Sequence, residues 1–225
     1  MPSPKEFRIV VWGSETITQE LLENCAKLFS ENYGTWGEMG LFPGRLVKLS
    51  HSRLRSEYLF NPQTCSLITA DTGVGGEIVA HAFVCSFPFL SSYAVWITQL
   101  VVRKDMRHRG LATELIAKAW TKDALAWGLM TSHPYAVRAL ESATQRKCDP
   151  QTISLYAKDL VKASGIPYFQ KCQISINENH SLIHSEFFID HTEVNEILAS
   201  LKSEWRLGTL GEGDEFFAFT FKHHL

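Results

Sequence analysis

Along the 225-residue chain, hydrophobic residues recur with one spacing in some segments and with a different spacing in the segments between them. Period-two alternation and β-branched runs predict strands at the positions given below. Apolar residues spaced three or four apart predict helices between those strands, with Thr16 or Thr18 as the cap of the first helix. The predicted strands are 7–12, two strands on either side of a turn near 73–76, and 94–102, 128–133, 181–190 and 214–222; the predicted helices are 19–34, 45–59, 111–127, 134–147, 150–164 and 192–205.

Composition restricts the class of protein. The chain has 22 Lys and Arg residues against 24 Asp and Glu residues, so it lacks the basic excess of a dedicated nucleic-acid binder. No apolar run approaches the ~20 residues of a membrane-spanning helix, and the start of the chain lacks a secretory pattern. The five cysteines are scattered and odd in number. These features favour a cytoplasmic protein with free thiols that binds neither nucleic acid nor membrane.

The stretch "RHRGLATEL", 107–115, stands where the strand at 94–102 gives way to a helix. The start of a helix leaves backbone N–H groups without partners and carries a partial positive charge, so it attracts anions. Gly110 lets a ligand approach the backbone closely, and the basic residues at 107–109 add positive charge. The pattern therefore predicts a phosphate site. The alternative is a surface turn with solvated cations.

This corner resembles the signature Q/R-x-x-G-x-G/A of the GNAT superfamily of acyl-CoA N-acyltransferases. Arg107, Gly110 and Ala112 fill the three positions, and Val102 lies five residues before the arginine. The order of elements over about 7–147 is also similar to that family. A dinucleotide-binding fingerprint and a Walker loop are both missing.

The resemblance implies an α+β fold. Its central, mostly antiparallel sheet has splayed middle strands and helices on both faces. Residues 1–149 would form the acyl-CoA-binding core. Residues 150–225 would be an extension that completes the sheet and packs on the core as part of one body.

The resemblance also implies acetyl-CoA as the cofactor. Backbone amides of 108–113 would grip its pyrophosphate, and the edge of the strand at 100–102 would pair with the pantetheine amides. The residues expected to contact the cofactor are Leu100, Val101, Val102, Arg107, His108, Arg109, Gly110, Leu111, Ala112, Thr113 and His133.

Acetyl transfer from a thioester needs a base for the amine, a donor for the developing oxyanion and an acid for the leaving thiolate. The family's frequent positions for the base are occupied here by Trp96 and Thr98, and the usual tyrosine is replaced by Leu140. His133 is a candidate base or acid because its ordinary pKa lies near neutrality. The alternative for His133 is a helix cap or a cofactor contact. Tyr135 is a candidate for protonating the thiolate; otherwise its ring packs on the core.

The acceptor is expected beside the glycine- and aromatic-rich loop "YGTWGEMGLF", 33–42. Tyr33 and Trp36 would enclose an apolar or cationic group, with Glu38 as its counter-charge. Trp96 and Thr98 on the central strand are also expected to contact the acceptor. The alternative is that the aromatic rings only anchor the loop to the core.

The sequence thus predicts an acetyl-CoA-dependent N-acetyltransferase that acts by direct attack of an amine, in a small molecule, on the thioester. The alternatives are a non-catalytic acyl-CoA-binding module, a protein-lysine acetyltransferase, and an interaction protein that keeps only the scaffold. A homodimer is possible through the C-terminal third. No metal site is expected, because the histidines at 180, 184 and 191 lack further ligands at suitable spacing.

Overall fold

The computed structural model describes residues 7–73, 76–201 and 204–222. One eight-stranded sheet runs through it in the order β1-β2-β3-β4-β5-β8-β7-β6. The strands are β1 Arg8–Gly13, β2 Cys65–Asp71, β3 Ile78–Phe89, β4 Ser92–Val102, β5 Ala126–Thr131, β6 Gln173–Asn177, β7 His180–His184 and β8 Asp214–Phe221. The helices are α1 Gln19–Asn32, α2 His51–Tyr58, α3 Leu111–Ala119, α4 Pro134–Thr144, α5 Pro150–Ser164 and α6 Thr192–Leu201.

The predicted α+β fold, with helices on both faces of the sheet, is confirmed. On one face, Tyr58 of α2 packs on Phe83, and Tyr156 of α5 stacks on Phe221. On the other face, Trp120, at the end of α3, stacks on Trp127. We call these the α2 face and the α3 face. Alternation along each strand assigns the remaining side chains to one or the other.

The sheet is antiparallel except between β4 and β5, which run parallel. Their pairing covers only Ala94–Ile97 against Ala126–Leu129. Beyond this register β4 continues to Val102 and β5 to Thr131 without pairing to each other. The middle strands therefore part toward their carboxyl ends, as the fold prediction expected.

A β-bulge lies where the two strands part. Phe83 of β3 pairs with Gln99, and the next residue, Val84, pairs with Ile97, so Thr98 is the extra residue. A bulge bends its strand and increases the local twist. On the paired side, Gly128 lies directly beneath Trp96, and an added Cβ would collide with that ring and with Phe219. Close packing thus holds the strands together below the bulge, and the bulge turns β4 away above it.

Several predicted helices extend too far, two of them the most, and the strand predicted over 181–190 ends early, at His184. The helix predicted over 45–59 starts only at His51, because the Ser50 hydroxyl caps it and residues before it run extended with Val47 buried. The helix predicted over 111–127 ends at Ala119. Trp127 instead lies in β5, where it pairs with both neighbouring strands and its ring packs on Trp120. The hydrophobic pattern there belongs to a buried strand rather than to a helix.

The last third of the chain extends the sheet. β8 lies between β5 and β7, and β6 forms the far edge beside β7. The sequence interpretation did not include β6, whose side chains alternate between exposed and half-buried. Helix α5 occupies the predicted range 150–164 and is capped by Asp149. Residues 150–221 therefore supply three of the eight strands and pack on the same body as the first five.

Candidate functional site

The start of α3 is an open backbone corner. Gly110 has φ +82° and ψ −6°, a left-handed conformation that favours glycine, and His108 has φ +60°. Among the described residues no side chain caps the helix, and none has an atom within 4 Å of a Cβ placed at Gly110. The first N–H groups of a helix have no partner within it, so those of 111–113 face this space. The corner has the shape and dipole that a phosphate group requires.

The motif residues divide between this opening and the protein interior. His108 and Arg109 are exposed beside Gly110, and Ala112 and Thr113 are half-buried. Leu111 is only 1% exposed, so its side chain belongs to the core and only its backbone faces the corner. The predicted cofactor contacts of these residues remain predictions.

Arg107 braces the corner against two helices. Its Nη2 donates to the backbone oxygen of Asn32 at 2.8 Å, and its Nη1 lies 3.6 Å from a carboxylate oxygen of Glu193. Asn32 in turn accepts the backbone N–H of Lys104 through Oδ1 at 3.0 Å. The Arg107 guanidinium is thus held by protein groups, and it fixes the turn relative to the end of α1.

Beside this corner, β4 presents an unpaired edge. After Ile97 the strand has a partner only on its β3 side, so the main-chain groups of 98–102 on the other side face the gap toward β5. Leu100 and Val102 are half-buried, whereas Val101 is 4% exposed and packs with Leu28 and Phe29 of α1. The predicted pairing of 100–102 with an extended ligand therefore has a free strand edge available.

His133 stands at the opposite side of the gap, at the start of α4. Its Nδ1 accepts the backbone N–H of Tyr135 at 3.3 Å, so it is the helix cap. The pKa of His133 is lowered to about 4, mainly by burial and also by the nearby Arg107 and His108 charges, against an opposing effect of Glu193. The ring is therefore neutral at pH 7. Because Nδ1 accepts, its proton lies on Nε2, which makes Nε2 a hydrogen-bond donor.

Tyr135 links the two sides of the gap. Its ring contacts His108 edge-on with centroids 5.0 Å apart and lies 5.6 Å from the His133 ring. The side chain is 40% exposed, so it does not pack into the core as the alternative interpretation expected. Its predicted acid role stays a prediction.

The predicted acceptor loop packs under a second segment of chain. Trp36 forms an isolated antiparallel bridge with Ile189, and the N–H of Gly37 donates to the Phe188 oxygen at 2.9 Å. Tyr33 stacks on Phe29 and also contacts Phe187. We call residues 33–46 and 187–190 together the cover. The aromatic side chains thus anchor the loop, as the alternative interpretation expected.

The other predicted acceptor residues lie in different surroundings. Glu38 is exposed on the cover. Trp96 is fully buried, and its indole N–H donates to the Tyr168 hydroxyl at 2.8 Å. Thr98 is 8% exposed, and its hydroxyl has no hydrogen-bond partner. The structure therefore does not bring these residues together into one open pocket.

The sequence interpretation did not predict a set of buried and half-buried polar side chains that meet on the α2 face. Its members are Tyr58, His81, Gln99, Tyr168 and Glu215. His81 Nε2 lies 2.8 Å from Gln99 Oε1, next to the bulge. Burial lowers the pKa of His81 to about 4 and raises that of Glu215 to about 7. The available signal was Glu215 itself, a charged residue in step with the phenylalanines of "DEFFAFTF", where alternation predicts an apolar side chain.

The described residues also bear on metal ions, membrane spans and reactive cysteines. Within them, no group of three or more His, Cys, Asp or Glu side chains is placed to hold a metal ion. No helix in the described ranges is long and apolar enough to cross a membrane. All five cysteines are free thiols, four of them buried, and burial raises the pKa of Cys25 to about 12.

Comparisons with known proteins place the chain. The sequence model of the Acetyltransferase (GNAT) family matches residues 27–158, more than half of the chain. No curated protein sequence matches it. Among solved structures, an aminoglycoside acetyltransferase from an uncultured soil metagenomic sample, in complex with sisomicin, is similar at 15% identity and a TM-score of 0.37. That similarity covers 50% of this chain and 66% of the other, just under two thirds of its length.

Two further structures are similar to the chain. A ribosomal-protein-alanine N-acetyltransferase from Brucella melitensis biovar Abortus 2308 shares 17% identity at a TM-score of 0.34, over 51% of this chain and 70% of the other. A Streptococcus mutans UA159 protein shares 13% identity at a TM-score of 0.45, over 95% and 98% of the two chains. The family match rests on the segment that contains the open corner and the parted strands. The chain belongs to the GNAT family of acetyltransferases.

Proposed function

We propose that this protein is an N-acetyltransferase that moves the acetyl group of acetyl-CoA to an amine by direct attack. The observation that carries the proposal is the juxtaposition of an uncapped helix start at Gly110 with an unpaired strand edge beyond Ile97. The first accepts phosphates, and the second accepts an extended chain that carries amides.

The residues present fit coenzyme A. Backbone N–H groups at the start of α3 would hold the pyrophosphate, with the exposed His108 and Arg109 beside it. The free edge of 98–102 would pair with the pantetheine arm. When bound, acetyl-CoA supplies an activated acetyl group as a thioester. The parted strands leave room for that group between β4 and β5.

The chain's own side chains supply positioning and hydrogen bonds. His133 would donate from Nε2 to an oxygen in the gap, because its Nδ1 is occupied as the cap. This refines the sequence hypothesis, since a ring whose pKa is lowered to about 4 is a weak base. Tyr135, whose ring contacts both His108 and His133, would be the acid that protonates the leaving thiolate.

We infer that the acceptor is an amine of a small molecule. The charge balance of 22 basic against 24 acidic residues provides no broad field for a basic protein tail. The cover closes the α2 face with aromatic side chains and main-chain hydrogen bonds. Closed, largely apolar surroundings suit a compact ligand better than an extended polypeptide.

The test combines binding and turnover. Isothermal titration with coenzyme A measures the affinity, and a free-thiol assay with acetyl-CoA follows turnover over a panel of polyamines, aminoglycosides, arylamines and lysine peptides. We expect saturable binding and thiol release with at least one small amine. Binding without turnover on the whole panel would identify a non-catalytic module. Turnover with lysine peptides alone would overturn the small-molecule assignment.

A thermal melt adds an independent measurement. Coenzyme A at about 100 times its dissociation constant stabilises a folded protein by about 2.7 kcal/mol. An unchanged melting temperature at millimolar coenzyme A would contradict the proposed site, because a ligand that binds the folded state must raise it.

A further inference from the structure

We propose that Glu215 is the general base that takes the proton from the acceptor amine. This inference rests on the proposed acetyl transfer and supplies the group that β4 lacks, since Trp96 and Thr98 occupy the family's frequent base positions. The proposed base lies on β8, which is next to β5 on the side away from β4.

The register of the sheet places Glu215 beside the gap. Phe216 pairs with Thr131, the last residue of β5, so Glu215 lies one step beyond the end of that strand. On its other side it pairs with Ile183 of β7. Alternation puts its side chain on the same face as Phe217, whose ring contacts Trp96 of β4. The carboxyl group thus points into the α2 face at the level where β4 and β5 have separated.

The groups around the carboxyl come from several elements. Tyr33 from the end of α1, Tyr58 from α2, and Tyr168 and Cys172 from the segment before β6 all interact electrostatically with Glu215. Each of the four is neutral at pH 7, because burial raises its pKa. None of these neighbours is a cation that would hold the carboxyl permanently ionised.

Burial tunes the carboxyl for proton transfer. Glu215 is 3% exposed, and desolvation raises its pKa to about 7, with an opposing effect of the Ser185 hydroxyl. A general base works best when its pKa lies near the working pH. Burying a carboxyl without a cationic partner costs stability, and titratable groups of this kind are typical of functional sites.

The same face contains polar atoms that the protein itself does not satisfy. Within the described ranges, Thr98 Oγ1 and His81 Nδ1 are buried without a hydrogen-bond partner, and the Gln99 amide interacts with Tyr58. They surround the bulge at which β4 turns away. Buried polar groups are usually paired, so the two atoms beside the bulge are free to bind a donor and an acceptor of a ligand; further unpartnered buried atoms in the same ranges lie at Trp120, Trp127, Arg146, His191 and Thr220. A primary amine and an acetyl carbonyl supply both kinds of group.

The proton balance is as follows. The ammonium group loses one proton to the Glu215 carboxylate, directly or through one water molecule. The freed nitrogen lone pair forms the C–N bond to the acetyl carbon as the C–S bond breaks. The sulfur leaves with the electron pair and takes up the second proton that the nitrogen loses. Glu215 then releases its proton to solvent, so each cycle yields one amide, one thiol and one proton.

The decisive variant is Glu215→Gln, which keeps the size of the side chain and removes the basic oxygen. We expect kcat/KM at pH 7 to fall by about 100-fold or more, within the range for loss of a general base. The dissociation constant of coenzyme A should change by less than about 2-fold, because the open corner is untouched. Glu212→Gln, an exposed neighbour on the turn before β8, is the matched control and should match wild type.

The pH profile separates catalysis from folding. Wild-type kcat/KM should rise with pH through an acid limb near pH 7, and Glu215→Gln should lack that limb with the same amine. A wild-type profile that is flat between pH 5.5 and 8 would overturn the proposal even if the variant does not fold. A folded Glu215→Gln with full activity would also overturn it.

A second variant identifies the rival group. His81→Gln removes a buried acceptor on this face, Nδ1, that has no hydrogen-bond partner among the described residues. A loss of the acid limb in His81→Gln, with the limb kept in Glu215→Gln, would transfer the role to His81. If the wild-type enzyme acetylates no amine on the panel, the proposed function fails as a whole. If it does so and Glu215→Gln is unaffected, only the assignment of Glu215 fails.

Discussion

Helices α3 and α4 both begin at the gap between the parted strands, but their first turns differ. Helix α4 starts with a side-chain cap from His133 and with Pro134, which has no N–H to satisfy. Helix α3 starts at a left-handed glycine and has no side-chain cap. Helices α1, α2 and α5 are capped by Thr18, Ser50 and Asp149.

The difference separates a helix start that contributes stability from a helix start that is free to bind an anion. A side-chain cap contributes about 1 kcal/mol and occupies the N–H groups that an anion would use. At α3 the chain leaves these groups available and forgoes that stabilisation. At α4 the cap is a histidine, so capping also determines which ring nitrogen faces the gap. The following variants test this contrast.

Gly110→Asp should have the largest effect. The added carboxylate would stand in the space that an anion needs, and we expect coenzyme A affinity to fall by about 100-fold or more, measured by calorimetry. Gly165→Asp is the matched control, because Gly165 also has a left-handed backbone, with φ +62°, and open space around its Cβ position. Both variants should lose similar melting temperature, but only the first should lose affinity. Equal affinities in the two variants would place the phosphates elsewhere.

His133→Ala should come next. It removes both the cap and the Nε2 donor, so we expect kcat to fall on the order of 10-fold, the value of one net hydrogen bond. His133→Asn restores a capping oxygen without the ring donor. A similar loss of kcat in both variants, with stability recovered only in the asparagine variant, would assign the rate effect to the ring. Full activity in His133→Asn would mean that His133 acts only as the helix cap.

Asp149→Ala should destabilise the fold without affecting the site. Its carboxylate accepts the backbone N–H and the hydroxyl of Thr152, each at 2.8 Å. We expect a loss of about 1 kcal/mol in the free energy of unfolding by urea. Coenzyme A affinity should stay at the wild-type value. A changed affinity would mean that α5 is coupled to the corner, contrary to the separation described above.

The smallest expected effect is on the stability of the protein at acidic pH. Burial lowers the pKa of His133 from its ordinary value of 6.5 to about 4. Between those values the unfolded chain binds more protons than the folded protein, so stability falls as the pH falls through this window. His133→Asn should therefore show a shallower loss of urea midpoint between pH 6.5 and pH 4. His81, with the same direction of shift, remains in both proteins and keeps part of the slope. Parallel slopes would contradict the lowered pKa of His133.

Local signals predicted much of the architecture. The range predicted for α5, 150–164, matches the observed helix, and Pro150 at its start and Gly165 after its end are residues typical of helix boundaries. The corner at 107–113 was predicted because a glycine directly before an apolar helical pattern marks the start of a helix. The error at 111–127 arose where Trp120 and Trp127 fit a helical spacing and are in fact joined by stacking between two elements.

The sequence predicted the fold better than it predicted the site. The predicted cofactor contact of Arg107 stays a prediction; its observed partner Asn32 lies 75 residues earlier, and local spacing carries no information about such a contact. The polar set of the α2 face is assembled from helices and strands that are far apart in the chain. Glu215 joins Tyr58 only because β8 enters the sheet beside β5. Strand order is a property of the whole fold, and no single segment encodes it.

The central place of β8 has a consequence for biosynthesis. As the chain leaves the ribosome, β1 to β5 are able to pair with strands already made, but the β6–β7 hairpin must wait for β8 before it joins the sheet. Until then β5 has an open outer edge, the kind of surface on which nascent chains aggregate. Glu215 arrives on that late strand. The proposed base therefore enters the structure only with the last strand of the sheet, after the residues of the corner at Gly110 have been made.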